Sequence, residues 1–251
     1  MRADSVVILL ARSPSDEARA KPFGARARAA ALHRALLVRA LRTASAPGWE
    51  TRLVTTGDLE DARRLCQEAG APATMVCAQS DGTLAERLRA ATEAACADGH
   101  RRIVLIGADT PSLRRADLEE ALARLAHDEG SAVLGPAPDG GFFLVGTTRP
   151  LPLLDGLHGP DACREAARAL AALGLRLTLL APHGDLDHRI DLDRMAAQLR
   201  AGSAADRALA QVIDELRSTL APVLWAAPPR PATTGRTTIL GARAPPLSPT
   251  L

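Results

Sequence analysis

The stretch RRIVLIGADTPSL, residues 101–113, decides the fold of the chain. Ile103 to Ile106 are apolar without polar alternation, which is typical of a strand buried on both faces of a parallel sheet. Asp109 follows in the segment Gly-Ala-Asp-Thr-Pro, where this strand ends. Open α/β sheets bind their ligands at the carboxyl ends of the strands. The stretch therefore predicts an α/β fold with Asp109 at the ligand-binding edge.

Short apolar runs alternate with helical patterns along the rest of the chain. We expect further strands at residues 5–11, 51–55, 73–77, 131–135, 142–146 and 175–180, and helices at residues 26–43, 58–68, 82–97, 114–126, 161–173 and 194–220. The polar segment 12–24 is expected to be a loop, and 185–193 an acidic turn. This alternation predicts a mostly parallel, doubly wound sheet in a three-layer αβα sandwich.

The composition changes after residue 220. Between residues 221 and 251 prolines become frequent, acidic residues are absent and apolar periodicity is lost. Such a composition is typical of a disordered, weakly basic tail. We therefore expect one domain over residues 1–220 and a tail over residues 221–251.

The composition also argues against several classes of protein. A formal net charge of +2 and an aromatic content of 2% disfavour nucleic-acid binding by bulk charge or base stacking. The 4 cysteines lack CxxC spacing, which favours free thiols in a reducing compartment. The apolar run near the amino terminus is too short to span a membrane. We expect a cytoplasmic protein that binds neither nucleic acid nor membrane; the oligomeric state stays open.

Candidate phosphate-binding side chains follow the first expected strand. Arg12, Arg19 and Lys21 lie there, at the same sheet edge as Asp109. Lys21 is the single lysine of a chain that holds 31 lysine and arginine residues. Its compact charge suits a phosphate, although a solvated loop would show the same pattern. We predict that Lys21 contacts phosphate.

Two acidic segments hold candidate ligands for a metal ion. Asp109 stands alone at its strand end, which suits a hard divalent cation that keeps several waters and bridges to phosphates. The alternative is that Asp109 caps a turn. Asp185 and Asp187 lie in DLDHRIDL and point to the same side of an extended segment. Either a cation lies between these two carboxylates or the turn is solvated.

The segment Asp139-Gly140-Gly141 joins two expected strands. Glycines let a ligand approach the backbone closely, whereas Asp-Gly is also a strong hairpin signal. A hairpin at the ligand-binding edge would serve both purposes. No dinucleotide or P-loop phosphate motif follows the first strand in the sequence.

Five segments together resemble a known family. They are ARSPSDEARAKPFG (residues 11–24), GTLAERL (82–88), LIGADTPSL (105–113), LGPAPDGGFFLVG (134–146) and DLDHRIDL (185–192). In order and spacing they resemble the glycosyltransferase-A-fold (GT-A) proteins known as radical-SAM/selenodomain-associated transferases, which are similar to 2-phospho-L-lactate guanylyltransferase. The resemblance covers roughly residues 6–199, and its third to fifth segments hold the acidic candidates.

The resemblance implies a nucleotide-diphosphosugar-transferase-like fold and a transferase that uses Mg²⁺ or Mn²⁺. Its partners would be a nucleotide sugar or nucleoside triphosphate and a small-molecule acceptor. It implies nucleotide or phosphate contacts at Ala11, Arg12, Lys21, Gly82 and Asp109, metal ligands at Asp109 and Asp187, substrate contacts at Asp139, Gly140 and Gly141, and catalytic roles for Asp109 and Asp139.

The expected activity is metal-dependent glycosyl transfer from a nucleotide-diphosphosugar. The alternatives are a nucleotidyltransferase that joins a nucleoside triphosphate to a phosphorylated small molecule, and a catalytically degenerate nucleotide-binding protein. The last alternative arises because Pro22 and Phe23 follow Lys21 where the family has threonine and arginine.

Overall fold

The computed structural model describes residues 3–21, 23, 25–154, 157, 159–184, 191, 196, 199–200, 202 and 204–219. The strands are β1 (Ser5–Ala11), β2 (Glu50–Thr55), β3 (Met75–Ala78), β4 (Arg102–Ile106), β5 (Ser131–Pro136), β6 (Phe142–Thr147) and β7 (Arg176–Leu179). The helices are α1 (Pro14–Ala20), α2 (Arg26–Ala44), α3 (Leu59–Glu68), α4 (Leu84–Ala97), α5 (Arg115–Ala126), α6 (Ala162–Ala172) and α7 (Ala204–Thr219). The expected tail and the acidic pair Asp185 and Asp187 lie outside the described residues.

The strands form one 7-stranded sheet in the order β3-β2-β1-β4-β6-β5-β7. β1 is parallel to both β2 and β4, and the register places Val7 beside Val104. β6 is antiparallel to β4 and β5 because it returns through a short hairpin, and β7 is again parallel to β5. The expectation of a mostly parallel sheet is confirmed.

The central strand β4 is as buried as its sequence predicts. Ile103 to Ile106 are at most 3% exposed. Apolar side chains of α2, α3 and α5 cover one face of the sheet, and those of α4 and α6 cover the other. A continuous apolar strand needs this cover on both faces, so the αβα sandwich follows from the pattern.

Helix α1 occupies a segment that we expected to be a loop, and that expectation is wrong. Ser13 caps the helix, since its Oγ accepts a hydrogen bond from the Asp16 amide at 3.2 Å. Pro14 stands at the first helical position, where a missing amide proton costs nothing. Ala18 is the one buried residue of this helix. So short and exposed a helix leaves no apolar period in the sequence.

Two further expectations can be compared with the fold. All 4 cysteines are free, and burial raises the pKa of the Cys66 thiol, which disfavours a reactive thiolate there. Among the described helices, none has the length and apolar character needed to cross a bilayer.

Candidate functional site

A cavity of about 480 Å³ opens at the carboxyl ends of β1 and β4. The ends of these strands, the start of β6, and helices α2 and α4 supply its walls. Leu36 and Leu37 of α2 and Leu84 and Leu88 of α4 make much of the lining apolar. A concave, mostly apolar cavity with a few polar groups is typical of a small-molecule site.

Lys21 and Asp109 meet in this cavity. The Lys21 Nζ lies 2.6 Å from the Asp109 Oδ2, although 88 residues separate the two in sequence. Lys21 ends helix α1, and Asp109 follows β4. Both side chains remain accessible, with 24% and 33% of their surface exposed. The structure thus brings together the predicted phosphate contact and the predicted metal ligand.

Glu17 links this pair to Arg12. Its Oε2 accepts a hydrogen bond from the Arg12 guanidinium at 3.0 Å, and its Oε1 lies 3.8 Å from the Lys21 Nζ. The four side chains therefore alternate in charge around one wall of the cavity. Sequence reasoning missed Glu17, because only in a helix do residues four apart lie side by side. An arriving anion could draw both cations away from Glu17.

His33 of α2 lies behind Lys21 and was also missed. Its Nε2 is 3.2 Å from the Lys21 carbonyl oxygen, and the residue is 5% exposed. Burial lowers the pKa of His33, and the bond to the Lys21 backbone opposes this shift. The ring packs against Phe23, with a centroid distance of 5.6 Å. Burial therefore favours the neutral form of the imidazole.

The start of α4 contributes different residues from the one predicted. Gly82 is absent from the described lining, and the Thr83 amide and hydroxyl both donate to the Glu86 carboxylate, at 2.6 and 2.9 Å. Arg87 does line the cavity, and its guanidinium donates to the Gly82 carbonyl at 2.9 Å and to Gln79 at 3.4 Å. The phosphate role of Gly82 stays a prediction.

The hairpin between β5 and β6 lies beside the cavity. The Asp139 Oδ1 accepts a hydrogen bond from the Gly141 amide at 3.0 Å. Gly140 has a φ of +92°, and a Cβ there would lie 1.8 Å from the Pro160 carbonyl oxygen. The space beside Gly140 is thus occupied by the backbone of Pro160 and not left open for a ligand. None of the three hairpin residues is among the described lining residues, and their substrate roles stay predictions.

Asp109 is the acidic candidate whose surroundings can be tested for a metal ion. Across the described part of the chain, no three His, Cys, Asp or Glu side chains converge on one point. Mg²⁺ commonly uses one or two carboxylates together with substrate phosphates and waters. Asp109 therefore fits as a protein ligand of a metal–nucleotide complex, whereas Asp187 lies outside the described residues.

The sequence matches the family model described as "Uncharacterized protein conserved in bacteria (DUF2064)" over residues 38–158. No curated protein matches the sequence. A Desulfovibrio desulfuricans G20 protein described as a nucleotide-diphospho-sugar transferase has a similar structure, with a TM-score of 0.71 and 22% identity. The match covers 86% of this chain and 96% of that chain.

Two other solved structures show the same architecture. A cytidylyltransferase from Leptospira borgpetersenii serovar Hardjo-bovis has a TM-score of 0.51 at 13% identity, covering 86% of this chain and 95% of that chain. Glucosyl-3-phosphoglycerate synthase from Mycobacterium tuberculosis has a TM-score of 0.50 at 12% identity, covering 85% and 80%. At these identities the comparisons show the fold, which is GT-A-like as the sequence resemblance implies. The radical-SAM-associated and guanylyltransferase parts of that resemblance stay predictions.

Proposed function

We propose that the chain is a metal-dependent glycosyltransferase that uses a nucleotide-diphosphosugar donor. The observation that carries the proposal is the accessible Lys21–Asp109 pair, 2.6 Å apart at the carboxyl edge of the sheet. One residue offers a phosphate a positive charge, and the other offers a divalent cation a hard oxygen ligand. The mycobacterial synthase, which has this architecture, is in complex with Mn²⁺ and uridine diphosphate.

Each side chain of the site has a role in this proposal. Lys21 and Arg12 bind the donor diphosphate and stabilise the negative charge that develops as the glycosyl bond breaks. Asp109 holds the divalent cation, with Asp187 as the second acidic ligand. When bound, Mg²⁺ or Mn²⁺ neutralises charge on the leaving diphosphate. Asp139 accepts hydrogen bonds from the sugar or the acceptor.

Nucleotidyl transfer is the second candidate, supported by the likeness to the leptospiral cytidylyltransferase. Lys21 and Arg12 would then stabilise charge on the α-phosphate of a nucleoside triphosphate, and pyrophosphate would leave. Nucleotide binding without turnover would identify the third alternative, a degenerate binding protein.

A thermal-shift screen tests the proposal, because a ligand that binds only the native state raises the melting temperature. Nucleotide sugars and nucleoside triphosphates are added with and without Mn²⁺. We expect a nucleotide sugar to give the largest shift, and Mn²⁺ to increase that shift. Pyrophosphate release from a triphosphate would instead favour nucleotidyl transfer.

The variant Asp109→Asn makes the screen specific. The amide is nearly isosteric, so we expect the fold to persist and the Mn²⁺-dependent part of the shift to disappear. Without Mn²⁺ the shift should be equal or larger, because Lys21 is released from a carboxylate. Glu129→Gln is the control, since that carboxylate is 93% exposed at the opposite edge. An unchanged Mn²⁺ effect in Asp109→Asn would remove Asp109 from the site.

A further inference from the structure

We propose that His33 is a positioning residue that holds Lys21 in its phosphate-binding place. The proposal rests on the function proposed above and adds a residue to its site. Lys21 is the cap residue that follows α1, where the backbone leaves helical geometry with φ −122° and ψ 84°. The position of the Lys21 side chain therefore depends on the contacts that fix its backbone.

Two hydrogen bonds fix the backbone of Lys21, one on each side of its Cα. Its amide donates to the Glu17 carbonyl at 2.7 Å, which is the last bond of α1. Its carbonyl oxygen lies 3.2 Å from the His33 Nε2, on the neighbouring helix α2. Because a carbonyl only accepts, the Nε2 atom carries the proton. His33 therefore ties the end of one helix to the side of another.

The surroundings of His33 keep this bond in one geometry. The imidazole is almost fully buried, and Phe23 is 2% exposed against it, with the two rings tilted by 53°. The charged groups that face the imidazole are Glu17, Lys21 and Asp109. The ring reaches Lys21 at its backbone carbonyl, so His33 acts on the position of that backbone.

Position matters more for lysine than for most side chains. Its charge sits on a flexible four-carbon stem that can reach several places equally well. Fixing the backbone limits these places and presents the ammonium to a diphosphate before the ligand arrives. In an active site, a misplacement of about 1 Å can lower the reaction rate about 100-fold. The 2.6 Å ion pair with Asp109 marks the place at which the ammonium is held.

The single lysine gives a direct test. Protein labelled with ¹³C- and ¹⁵N-lysine shows one lysine ammonium signal, which reports the surroundings of Lys21 alone. Spectra are compared for the parent, His33→Leu, which removes the donor, and His33→Gln, whose amide nitrogen reaches the same carbonyl. Thr51→Val is the matched control, because Thr51 donates to the Ala44 carbonyl at 3.0 Å at the other end of α2.

We expect the lysine signal of His33→Leu to move towards that of free lysine, and the signals of His33→Gln and Thr51→Val to stay near the parent. Affinity for magnesium pyrophosphate, a probe that needs no knowledge of the base, should fall by up to about tenfold in His33→Leu alone. If His33→Leu does not fold, His33→Asn replaces it, since its shorter amide cannot reach the carbonyl.

A folded variant without the donor that keeps the parental lysine signal would overturn the proposal. The proposed function can fail separately. If pyrophosphate and nucleotides leave the lysine signal of the parent unmoved, Lys21 is not a phosphate contact. A signal that still depends on residue 33 would then support the positioning of Lys21 without that function.

Discussion

Each edge of the sheet carries a network of charged side chains. The two networks differ in how far water reaches the cation at their centre, Arg52 at one edge and Lys21 at the other. At the amino edge, the guanidinium of Arg52 is 4% exposed and bonds Glu50 at 2.5 Å and Asp98 at 2.8 Å. Its remaining nitrogen lies 2.9 Å from the His100 Nε2, whose ring donates through Nδ1 to the Ala3 carbonyl at 2.8 Å. Water has little access to this guanidinium, whereas the Glu50 and Asp98 carboxylates at its rim are 20% and 40% exposed.

At the carboxyl edge, the Lys21–Asp109 pair faces an open cavity and keeps a quarter to a third of its surface accessible. An exposed pair gains little net energy, so a ligand can exchange its partners at low cost. A buried network loses several kilocalories per mole when one member is removed. The comparison indicates what distinguishes a binding site from a structural ion-pair network. In a binding site, a ligand can replace the existing partners of the charged side chains.

The largest expected effect comes from removing the centre of the closed network. Arg52→Leu leaves the partly buried Glu50 carboxylate and the buried His100 ring without the guanidinium, and we expect the free energy of unfolding to fall by about 3 kcal/mol. Urea denaturation measures the loss. Arg101→Leu is the control at the same edge, because Arg101 is 77% exposed and should change stability by less than about 0.5 kcal/mol.

Measuring the affinity of the Arg52→Leu variant for magnesium pyrophosphate tests whether its effect is confined to stability. The Arg52→Leu protein that remains folded should bind this probe as tightly as the parent, because the network lies at the edge away from the cavity. A loss of affinity in that variant would show that the two edges are coupled, and the distinction between them would not hold.

The next effect concerns the open pair. Lys21→Ala should weaken nucleotide binding by about 10- to 100-fold, the range for a hydrogen bond to a charged group, with little change in stability. Arg12→Ala should have a smaller effect. Arg19→Ala should have none, since Arg19 is 60% exposed, pairs with Asp16 and does not line the cavity. Isothermal titration with the nucleotide found in the screen measures all three.

Lys21→Arg examines why one lysine remains in an arginine-rich chain. A guanidinium is broader than an ammonium and should fit badly between Asp109 and Glu17, so we expect weaker nucleotide binding than in the parent. Equal affinity would mean that the lysine was not kept for its shape.

A smaller effect should appear in the pH dependence of stability. Folding lowers the pKa of His33 below its ordinary value of 6.5, chiefly through burial. The unfolded chain therefore takes up a proton more readily than the folded chain as the pH falls below 6.5, and this contribution to stability is lost in that direction. Above that pH the contribution is complete.

Melting temperatures of the parent and His33→Gln between about pH 7.5 and pH 5 isolate this contribution. We expect the parent to lose stability on acidification more steeply than the variant, which has no imidazole at this position. Parallel curves would show that His33 is not held neutral, and would remove one reason for its fixed tautomer.

The sheet and the shared edge of Lys21 and Asp109 could be predicted from strand patterns, but their 2.6 Å contact could not, because helix α1 places Lys21. Continuous apolar runs mark buried strands, and the carboxyl ends of parallel strands share one edge. Glu17 could not be predicted, because α1 buries a single alanine and leaves no period. His33 could not be predicted either, since a histidine on a helix does not indicate which carbonyl it will meet.

A substitution in the hairpin between β5 and β6 should change stability least. It also tests whether the hairpin contacts the substrate at the carboxyl edge of the sheet. Asp139→Asn keeps the Oδ1 that accepts from the Gly141 amide at 3.0 Å, so the turn and the melting temperature should stay near the parent. Nucleotide affinity should also persist, because Asp139 is outside the described cavity lining. If Asp139 contacts the sugar or the acceptor, only turnover should fall, since the amide loses the negative charge. Turnover is measured with the donor found in the screen. Full activity would make the hairpin a structural element packed on Pro160, and the acceptor site would then have to be sought on the α4 wall near Arg87.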